Sequence, residues 1–276
     1  MHKWLGIVHS DSEPDSSDSE HDLFDASDNA AARAKAAAYA DDIASRAWGL
    51  SHRDRAGLAS GALPLTAAAT VHFQEELGQQ RRVWDCALVL SKFLTNSAYF
   101  SSVQFSAIAI VHSGKQDFFA GKRVIELGCG IGVPGLSAAL LGASEVVLTD
   151  MDVAVPWINV NIAKNGVGAV ARAQALMWGP QTDATLGTFD VILCSDLIYG
   201  DEELSAALVA TIRGLAHATT LVVSAYEARL AGNQGSHFLQ AIAATHSVEA
   251  VPFEALDPTY RSRNLHVQLL RPRPVT

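Results

Sequence analysis

The chain has few cysteines and no long apolar run. Its cysteines are Cys86, Cys129 and Cys194, an odd number without the paired spacing of a disulfide framework or a metal site. They are expected to be free thiols in a reducing compartment. No segment approaches the roughly 18 apolar residues of a membrane span, and the run at 4–8 is too short for a signal peptide. The expectation is a cytoplasmic or nuclear protein without a membrane segment.

Basic residues are also scarce. Lys and Arg number 20 against 29 Asp and Glu, which gives a net charge of −9. Proteins that bind nucleic acid usually carry a basic surface, so DNA and RNA are disfavoured as partners. Hydrophobic residues make up 49% and charged residues 18% of the chain. This composition is typical of a globular α/β protein with one large or two small domains.

The acidic residues are concentrated near the N-terminus, where 10–29 contains no Lys or Arg. Such a segment buries too little apolar surface to offset the entropy lost on ordering, so residues 1–29 are predicted to be a disordered acidic tail. The alternative to a solvated tail is docking to a basic partner, tuned by serine phosphorylation. Residues 30–80 are predicted to be a helical extension and linker, with an alanine-rich helix at 30–48 and the linker at 49–70.

A glycine-rich turn at 123–135, RVIELGCGIGVPG, organises the rest of the chain. A short apolar strand precedes the glycines and an apolar helical run follows them. Gly128, Gly130 and Gly132 lack Cβ atoms, so a ligand can lie against the backbone at the helix N-terminus. From Gly130 the letters fit the dinucleotide pattern G-x-G-x-x-G. From Glu126 they fit the E-x-G-x-G-x-G turn of enzymes that bind S-adenosylmethionine (AdoMet).

Both ligand classes require an acid at the end of the next strand, where it binds ribose hydroxyls. Asp150 closes the apolar run at 145–149 and serves either class. The turn and its acid therefore indicate a nucleotide-like ligand, and they leave both ligands open.

Beyond the turn, strands and helices alternate. Strands are predicted at 124–127, 146–149, 170–177, 189–195 and 220–225, and helices at 132–141, 153–165 and 202–216. This alternation is typical of an α/β fold with a doubly wound, mostly parallel sheet. After a helix at 236–245, strands at 247–253 and 265–270 leave no room for a helical crossover and must be antiparallel. The seven-stranded, Rossmann-like AdoMet methyltransferase sheet ends in this way, so AdoMet is favoured and Gly135 is assigned to helix packing.

Three stretches lie before this alternation. Residues 71–77 fit either a strand or a short helix. A helix is predicted at 86–93, with Asp85 as its N-cap or first-turn acid and Trp84 as an anchor to the domain. The long insert at 95–122 is predicted to contain a helix, because structureless loops of that length are uncommon in compact domains.

Six segments occur in the order found in a known family. They are VWDCALVL at 83–90, VIELGCGIG at 124–132, LTD at 148–150, LMWG at 176–179, SDLIY at 195–199 and YEAR at 226–229. Together they resemble the seven-β-strand protein-lysine methyltransferases, whose signature is Asp-x-x-Tyr. The resemblance covers roughly 81–271, and 81–276 is interpreted as the methyltransferase domain. The segment 257–266, DPTYRSRNLH, is most similar to the members that act on the valosin-containing AAA ATPase.

The resemblance implies AdoMet as the cofactor and implies no metal. The cofactor-binding residues that it implies are Trp84, Glu126, Gly128, Cys129, Gly130, Gly132, Asp150, Trp178 and Ser195. Asp150 would accept bonds from the ribose hydroxyls, Trp178 would cover the adenine, and Glu126 would meet the amino-acid end directly or through water. The structural alternatives are a helix N-cap for Asp150 and a rim aromatic for Trp178.

The resemblance also implies catalytic roles for Asp196 and Tyr199. Lysine must attack as a neutral amine, although its free pKa is about 10.4. Asp196 would receive and orient the ammonium group, and Tyr199 would wall the channel through a cation–π contact and a hydrogen bond. The alternative is that Asp196 caps the next helix and Tyr199 packs. Glu227 and Arg229 are expected to pair at the substrate mouth, and Gly200 departs from the aromatic or polar residue common in the family.

The expected function is AdoMet-dependent methylation of a lysine on a protein, with a valosin-containing AAA ATPase as the expected target and a monomer as the expected state. Two alternatives stay open. One is a methyltransferase for a small molecule or another protein residue, because a fold does not determine its substrate. The other is a non-catalytic binding module that works through the acidic tail and the long insert.

Overall fold

The computed structural model describes residues 26–57, 59–76, 78–102, 118–180, 184–229 and 234–274. Most of the predicted acidic tail, at 1–25, and the insert residues 103–117 lie outside the described residues. Helix α1 (Ala26–Ser45) takes in 26–29, which were expected to be disordered. The alanine-rich run that follows these residues accounts for the difference, because extending a helix costs less free energy than nucleating one.

Eight α-helices and nine strands follow one another in the described part of the chain. The helices are α1, α2 (Leu50–Arg55), α3 (Asp85–Phe93), α4 (Ser97–Ser102), α5 (Val133–Leu140), α6 (Val155–Lys164), α7 (Glu202–Leu215) and α8 (Gln234–Ala243). The strands are β1 (Ser60–Pro64), β2 (Thr70–Gln74), β3 (Arg123–Leu127), β4 (Glu145–Asp150), β5 (Ala171–Ala175), β6 (Phe189–Ser195), β7 (Ala216–Glu227), β8 (His246–Ala250) and β9 (Leu265–Pro272). The short α4 supplies the helix expected in the insert.

Seven strands form one sheet in the order β5-β4-β3-β6-β7-β9-β8. All pairings among β3, β4, β5, β6 and β7 are parallel, whereas β9 is antiparallel to both β7 and β8. The predicted doubly wound, mostly parallel sheet with an antiparallel last strand is confirmed. The strand β9 inserts between β7 and β8.

Helices cover the sheet on both faces. One apolar cluster joins it to α3, α5 and α6, with Leu136 and Ile158 fully buried. A second cluster joins the opposite face to α7 and α8, through residues such as Ile212 and Phe238. Strands that are buried on two faces need apolar side chains on both, which is why Val124, Ile125 and Leu127 of β3 are apolar on either side of Glu126.

The segment interpreted as a linker is part of the packed structure. It contains α2 and β1, and β1 pairs with β2 in a separate antiparallel hairpin. Leu63 and Phe73 are buried in the same apolar cluster as α3 and α5. Gly61 looks like a linker residue but serves packing, because a Cβ there would lie 2.4 Å from the Phe73 ring. The ambiguous stretch 71–77 is therefore a strand over most of its length.

The hairpin is fixed to the domain through two asparagines of α6. Asn165 accepts a hydrogen bond from the His72 amide at 2.8 Å, and its Nδ2 donates to the His72 carbonyl at 2.7 Å. Asn161 bonds the backbone of Gln74 in the same two ways, at 2.7 and 3.1 Å. These side chains satisfy the free edge of β2, which would otherwise be open to pairing with another chain.

Among the described residues, no helix has the length and apolar content to cross a membrane.

Candidate active site

The carboxyl ends of β3, β4 and β6 meet at one edge of the sheet, the edge where open α/β sheets bind ligands. The glycine turn follows β3, and Gly128, Gly130 and Gly132 have φ values of 52°, 56° and 84°. These left-handed conformations are accessible to glycine and unfavourable for other residues. The Cys129 amide donates to the Thr149 carbonyl at 2.9 Å, which fixes the turn to the end of β4.

Aromatic and apolar side chains lie directly against the first glycine. A Cβ on Gly128 would lie 2.7 Å from Leu197 Cδ2 and 3.0 Å from Trp178 Cζ2. The Trp178 ring also faces Tyr199, with 6.4 Å between the ring centroids. The structure therefore brings the predicted adenine-covering residue, the signature tyrosine and the glycine turn together.

Asp150 connects the turn to the end of β4. Its Oδ2 accepts the Gly130 amide and its Oδ1 accepts the Met151 amide, each at 2.7 Å. Burial raises the pKa of this carboxyl above its usual range, and the two amides oppose that shift. Each carboxylate oxygen has a further lone pair, so Asp150 retains the capacity to accept hydroxyl donors.

Glu126 lies beneath the turn. Its side chain is fully buried, and Oε2 accepts the Gly135 amide of α5 at 2.7 Å. Burial raises the pKa of Glu126 well above its usual range. A Cβ on Gly135 would lie 2.2 Å from Leu148 and 2.8 Å from this oxygen, so the assignment of Gly135 to helix packing is confirmed. The observed contact of Glu126 is thus to the protein backbone.

The segment that ends at Trp84 crosses over the turn. A Cβ on Gly130 would lie 3.5 Å from the Gln80 carbonyl and 3.7 Å from the Arg82 carbonyl. Trp84 is 37% exposed, and its indole nitrogen donates to the Gln79 carbonyl at 3.1 Å. The buried Arg53 and Glu75 bond the carbonyl and the amide of Val83, respectively. Together these contacts position Trp84 beside the glycine turn.

Asp196 follows β6 with a φ of 60°, the sole positive φ of a non-glycine residue in the described ranges. A left-handed backbone costs an L-residue roughly 1–2 kcal/mol, and such residues cluster at functional sites. Its amide donates to the Ala225 carbonyl at 2.8 Å, which locks this conformation. Two buried oxygens here, Asp196 Oδ1 and Ser195 Oγ, have no hydrogen-bond partner within the described structure. Such atoms are expected where a ligand binds.

The residues after Tyr199 decide between the two interpretations of Asp196. Asp201 is the N-cap of α7, and its Oδ1 accepts the Leu204 amide at 2.9 Å. Asp196 therefore does not cap this helix. Gly200 has a φ of 81°, and a Cβ there would lie 2.6 Å from Leu204 Cδ2, which explains the absence of an aromatic at this position. Burial, then the charges of Asp150 and Asp196, raises the pKa of Tyr199, so its phenol is neutral.

Arg229 forms a contact that the sequence did not predict. The expected pair with Glu227 is confirmed, with 3.5 Å between Arg229 Nε and Glu227 Oε2. Arg229 Nη2, however, lies 2.5 Å from Asp196 Oδ2, and the guanidinium carbon is 6.0 Å from the centroid of the Trp84 ring. Burial opposes the charge of Arg229, but Asp196 and Glu227 outweigh it and raise its pKa.

Arg46, near the end of α1, is a second residue that sequence reasoning missed. It is 3% exposed and forms ion pairs with Asp42 at 2.7 Å, Asp85 at 2.9 Å and Glu227 at 2.7 Å. Asp85, in the first turn of α3, also accepts the Leu50 amide of α2 at 2.6 Å. An isolated arginine after an alanine-rich helix carries no motif, so no sequence signal pointed to this role.

The chemistry of this edge fits the cofactor that the sequence implies. Bare glycine backbone, a carboxylate at the end of β4 and an aromatic ring after β5 surround one position at the edge of the sheet. The two unpartnered oxygens of Ser195 and Asp196 lie at the end of the adjacent strand. These are the groups that a nucleoside with a charged amino-acid end requires.

Comparison with known proteins identifies the family. Residues 67–245 match the family described as lysine methyltransferase. Protein N-lysine methyltransferase METTL21A of Danio rerio is 32% identical over 197 residues, which cover 70% of this chain and 78% of that protein. EEF1A lysine methyltransferase 3 of Mus musculus is 36% identical over 158 residues, which cover 56% of this chain and 60% of that protein.

Solved structures show the same fold. The ribosomal protein L11 methylase of Lactobacillus delbrueckii subsp. bulgaricus superposes with a TM-score of 0.50 at 15% identity, over 77% of this chain and 98% of that one. SMU.776 complexed with SAH superposes with a TM-score of 0.50 at 12% identity, over 77% and 56% of the two chains. With the glycine turn, Asp150 and the ordered motifs, these matches show that the chain belongs to the lysine methyltransferase family and is an AdoMet-dependent methyltransferase.

Proposed function

We propose that the chain methylates a lysine side chain on a partner protein and that Asp196 and Tyr199 carry the reaction. The observation on which this rests is the strained Asp196, whose buried Oδ1 is unpartnered in the described structure beside the glycine turn. A carboxylate oxygen with no donor is an acceptor for an incoming ammonium group. The neutral Tyr199 faces Trp178, and the charge of Asp196 contributes to its raised pKa.

The proposed cofactor contacts follow the geometry of the edge. The backbone of the glycine turn and the Ser195 hydroxyl would hold the amino-acid end of AdoMet, while Asp150 would accept the ribose hydroxyls. Trp178 would cover the adenine, Trp84 would close the side opposite it, and Glu126 would act by bracing the turn. When bound, AdoMet supplies an electrophilic methyl group on a sulfonium. The neutral lysine amine would form the new C–N bond as the methyl–sulfur bond breaks, with S-adenosylhomocysteine as the leaving group and the proton passing to solvent.

The protein's part in the transfer is to orient the amine and to favour its neutral form. Asp196 Oδ1 attracts the lysine ammonium and accepts a hydrogen bond from it. The Asp196 carboxylate by itself favours the charged ammonium, whereas the buried surroundings of Tyr199 disfavour it and so help the amine to lose its proton before it attacks. The phenol of Tyr199 supplies a second hydrogen-bonding group, and its ring faces the cation. Alignment of the amine with the methyl group supplies most of the acceleration.

The proposed target is a valosin-containing AAA ATPase. Its support is the sequence of 257–266, which resembles members that act on such a protein. One matched relative is named for a different target, EEF1A, and that protein is the second to test. We further propose that the chain acts as a monomer in the cytoplasm or nucleus, consistent with its buried free cysteines.

Labelled AdoMet, incubated with the protein and a cell lysate, tests the proposal directly. Mass spectrometry is expected to locate the label on lysines of a partner protein. Label found only in small metabolites, or on residues other than lysine, would replace this function with the small-molecule or other-residue alternative. Binding of AdoMet without any transfer would instead support a non-catalytic module. Purified AAA ATPase and EEF1A, compared in parallel, then identify the target.

A further inference from the structure

An ordered row of charges joins the active-site carboxylate to the N-terminal helix. Asp196 Oδ2 contacts Arg229 at 2.5 Å, Arg229 Nε contacts Glu227 Oε2 at 3.5 Å, and Glu227 Oε1 contacts Arg46 Nη1 at 2.7 Å. Acid and base alternate along the row, and Glu227 uses a different oxygen for each neighbour. Glu227 is thus shared between Arg46 and Arg229.

Arg46 is the fixed end of this row. Its Nη2 donates to Asp42, its Nη1 donates to Asp85 as well as to Glu227, and its Nε donates to the Ser262 hydroxyl at 3.0 Å. The guanidinium group is planar and its donors are rigidly arranged, so several simultaneous bonds immobilise it. Because Arg46 is 3% exposed, water does not compete for these bonds.

The distances show which arginine pairs with which carboxylate, Glu227 or Asp196. Arg46 lies 2.7 Å from Glu227, whereas Arg229 lies nearer to Asp196, at 2.5 Å, than to Glu227, at 3.5 Å. A largely buried carboxylate that loses its cation draws in the next one available, because an unpaired buried charge is costly. Without Arg46, the next cation within contact distance of Glu227 is Arg229.

We propose that Arg46 is a positioning residue for methyl transfer: by neutralising Glu227, it leaves Arg229 to orient Asp196. The inference deepens the proposed function and rests on it. Arg46 directly follows α1 and lies before the residues 67–245 that match the family, so this contribution comes from outside the matched segment. Arg46 acts through Glu227 and Arg229, and it is the oxygen of Asp196 left unpaired by Arg229 that receives the substrate.

Replacement of Arg46 by Met tests the proposal. The kcat for lysine methylation is expected to fall about ten- to a hundredfold, since small misplacements at a reacting centre have effects of that size. The Kd for AdoMet, measured by calorimetry, is expected to stay at the wild-type value. Arg46→Lys retains one positive charge and is expected to lose less activity, and it serves as the variant of choice where Arg46→Met does not fold.

The decisive variant combines Arg46→Met with Glu227→Gln. Removal of the Glu227 charge is expected to return Arg229 to Asp196, so the double variant should be more active than Arg46→Met alone. A purely structural role for Arg46 would also be relieved by removal of this unpaired buried charge, but kcat would then recover only in step with the melting temperature, which is measured in parallel. A double variant no more active than Arg46→Met would therefore overturn the proposal.

Arg123→Met is the control for general destabilisation. Arg123 lies at the opposite edge of the sheet, where it pairs with Glu145 at 2.7 Å and donates to the Leu186 carbonyl at 3.1 Å. Its replacement is expected to lower the melting temperature and leave kcat unchanged. Equal losses of kcat in Arg123→Met and Arg46→Met would count against a specific role for Arg46.

The Arg229 Nε–H signal in a ¹⁵N NMR spectrum gives a readout that needs no substrate. It is expected to shift in Arg46→Met and to return toward its wild-type position when Glu227→Gln is added. An unchanged signal in Arg46→Met would overturn the inference even if lysine methylation is confirmed. Conversely, a wild-type protein that methylates no lysine would refute the proposed function while this signal still reports on the row of charges.

Discussion

Arg229 Nη2 lies 2.5 Å from Asp196 Oδ2, and the other oxygen of that carboxylate is buried without a partner in the described structure. The two oxygens of the Asp196 carboxylate therefore have different roles. One oxygen is held by a cation of the protein, which fixes the plane of the group. The second oxygen is left as an acceptor for a cation from outside. A substrate ammonium can therefore bind without displacing Arg229.

Replacement of Asp196 by Asn should abolish most transfer while AdoMet still binds. Asn tolerates the left-handed backbone, so the variant removes the charge without the strain that Ala would add. We expect kcat to fall on the order of a hundredfold or more, because the amine loses the group that attracts and orients it. Activity with labelled AdoMet and calorimetric binding of AdoMet are the two measurements.

Asp190→Asn is the matched control for this variant. Asp190 lies near the start of β6, the strand that Asp196 follows, and it accepts the Arg123 amide at 2.8 Å. It should leave kcat unchanged. Full turnover in the Asp196 variant would remove this residue from the mechanism, whatever the control shows.

Gly128→Ala should prevent AdoMet binding. The added Cβ combines a left-handed φ of 52° with contacts of 2.7 Å to Leu197 and 3.0 Å to Trp178. Gly166→Ala separates the two effects, because Gly166 has a φ of 64° and no atom within 4 Å of the added Cβ. Both variants should lose roughly 1–2 kcal/mol of stability from the backbone term.

Calorimetry and thermal unfolding of both glycine variants test this expectation. AdoMet affinity should be lost in Gly128→Ala and retained in Gly166→Ala. If Gly128→Ala binds AdoMet as tightly as the wild-type protein, the turn does not hold the cofactor through its backbone at this position.

Local patterns in the sequence predicted the glycine turn and the acid that follows β4 well, and the ion pairs around Asp196 poorly. The glycine turn and Asp150 are read from neighbouring residues, because strand, turn and helix follow directly along the chain. Arg229 and Asp196 are 33 positions apart, and Arg46 and Glu227 are 181 apart. Such pairs depend on how β6, β7 and α1 come together in space. The misassigned linker at 49–70 has the same cause: Gly61 and Pro64 suggest a loop until the Phe73 ring is placed over Gly61.

Tyr199→Phe should separate the two roles of the tyrosine. The ring that faces Trp178 is kept, so substrate KM should change little, while loss of the hydroxyl should lower kcat by about tenfold. Tyr199→Ala removes both groups and should affect KM as well. Tyr226→Phe is the control: Tyr226 lies at the same edge with its ring 5.2 Å from His266, and its hydroxyl has no proposed role. Equal kcat in Tyr199→Phe and the wild-type protein would assign Tyr199 to packing.

Glu126→Gln should change how stability depends on pH. Burial raises the pKa of Glu126 well above its usual value of 4.5, so the folded protein binds this proton more tightly than the unfolded chain does. The stability contributed by the group is therefore fully present below that value and is lost as the pH rises through the folded pKa. Gln cannot ionise and retains a carbonyl oxygen for the Gly135 amide, so the variant should escape this loss.

Glu145→Gln provides a control of opposite sign, because the bond from Arg123 holds the pKa of Glu145 below its usual value. That carboxylate contributes stability above its usual pKa and loses it as the pH falls. The melting temperatures of the cofactor-free proteins are measured from pH 4 to pH 8. Relative to the wild-type protein, the melting temperature of Glu126→Gln should rise with increasing pH, and that of Glu145→Gln should fall. Parallel curves of melting temperature against pH for Glu126→Gln and the wild-type protein would mean that Glu126 ionises normally in the folded state. A cation or solvent beneath the glycine turn would then be needed to stabilise its charge.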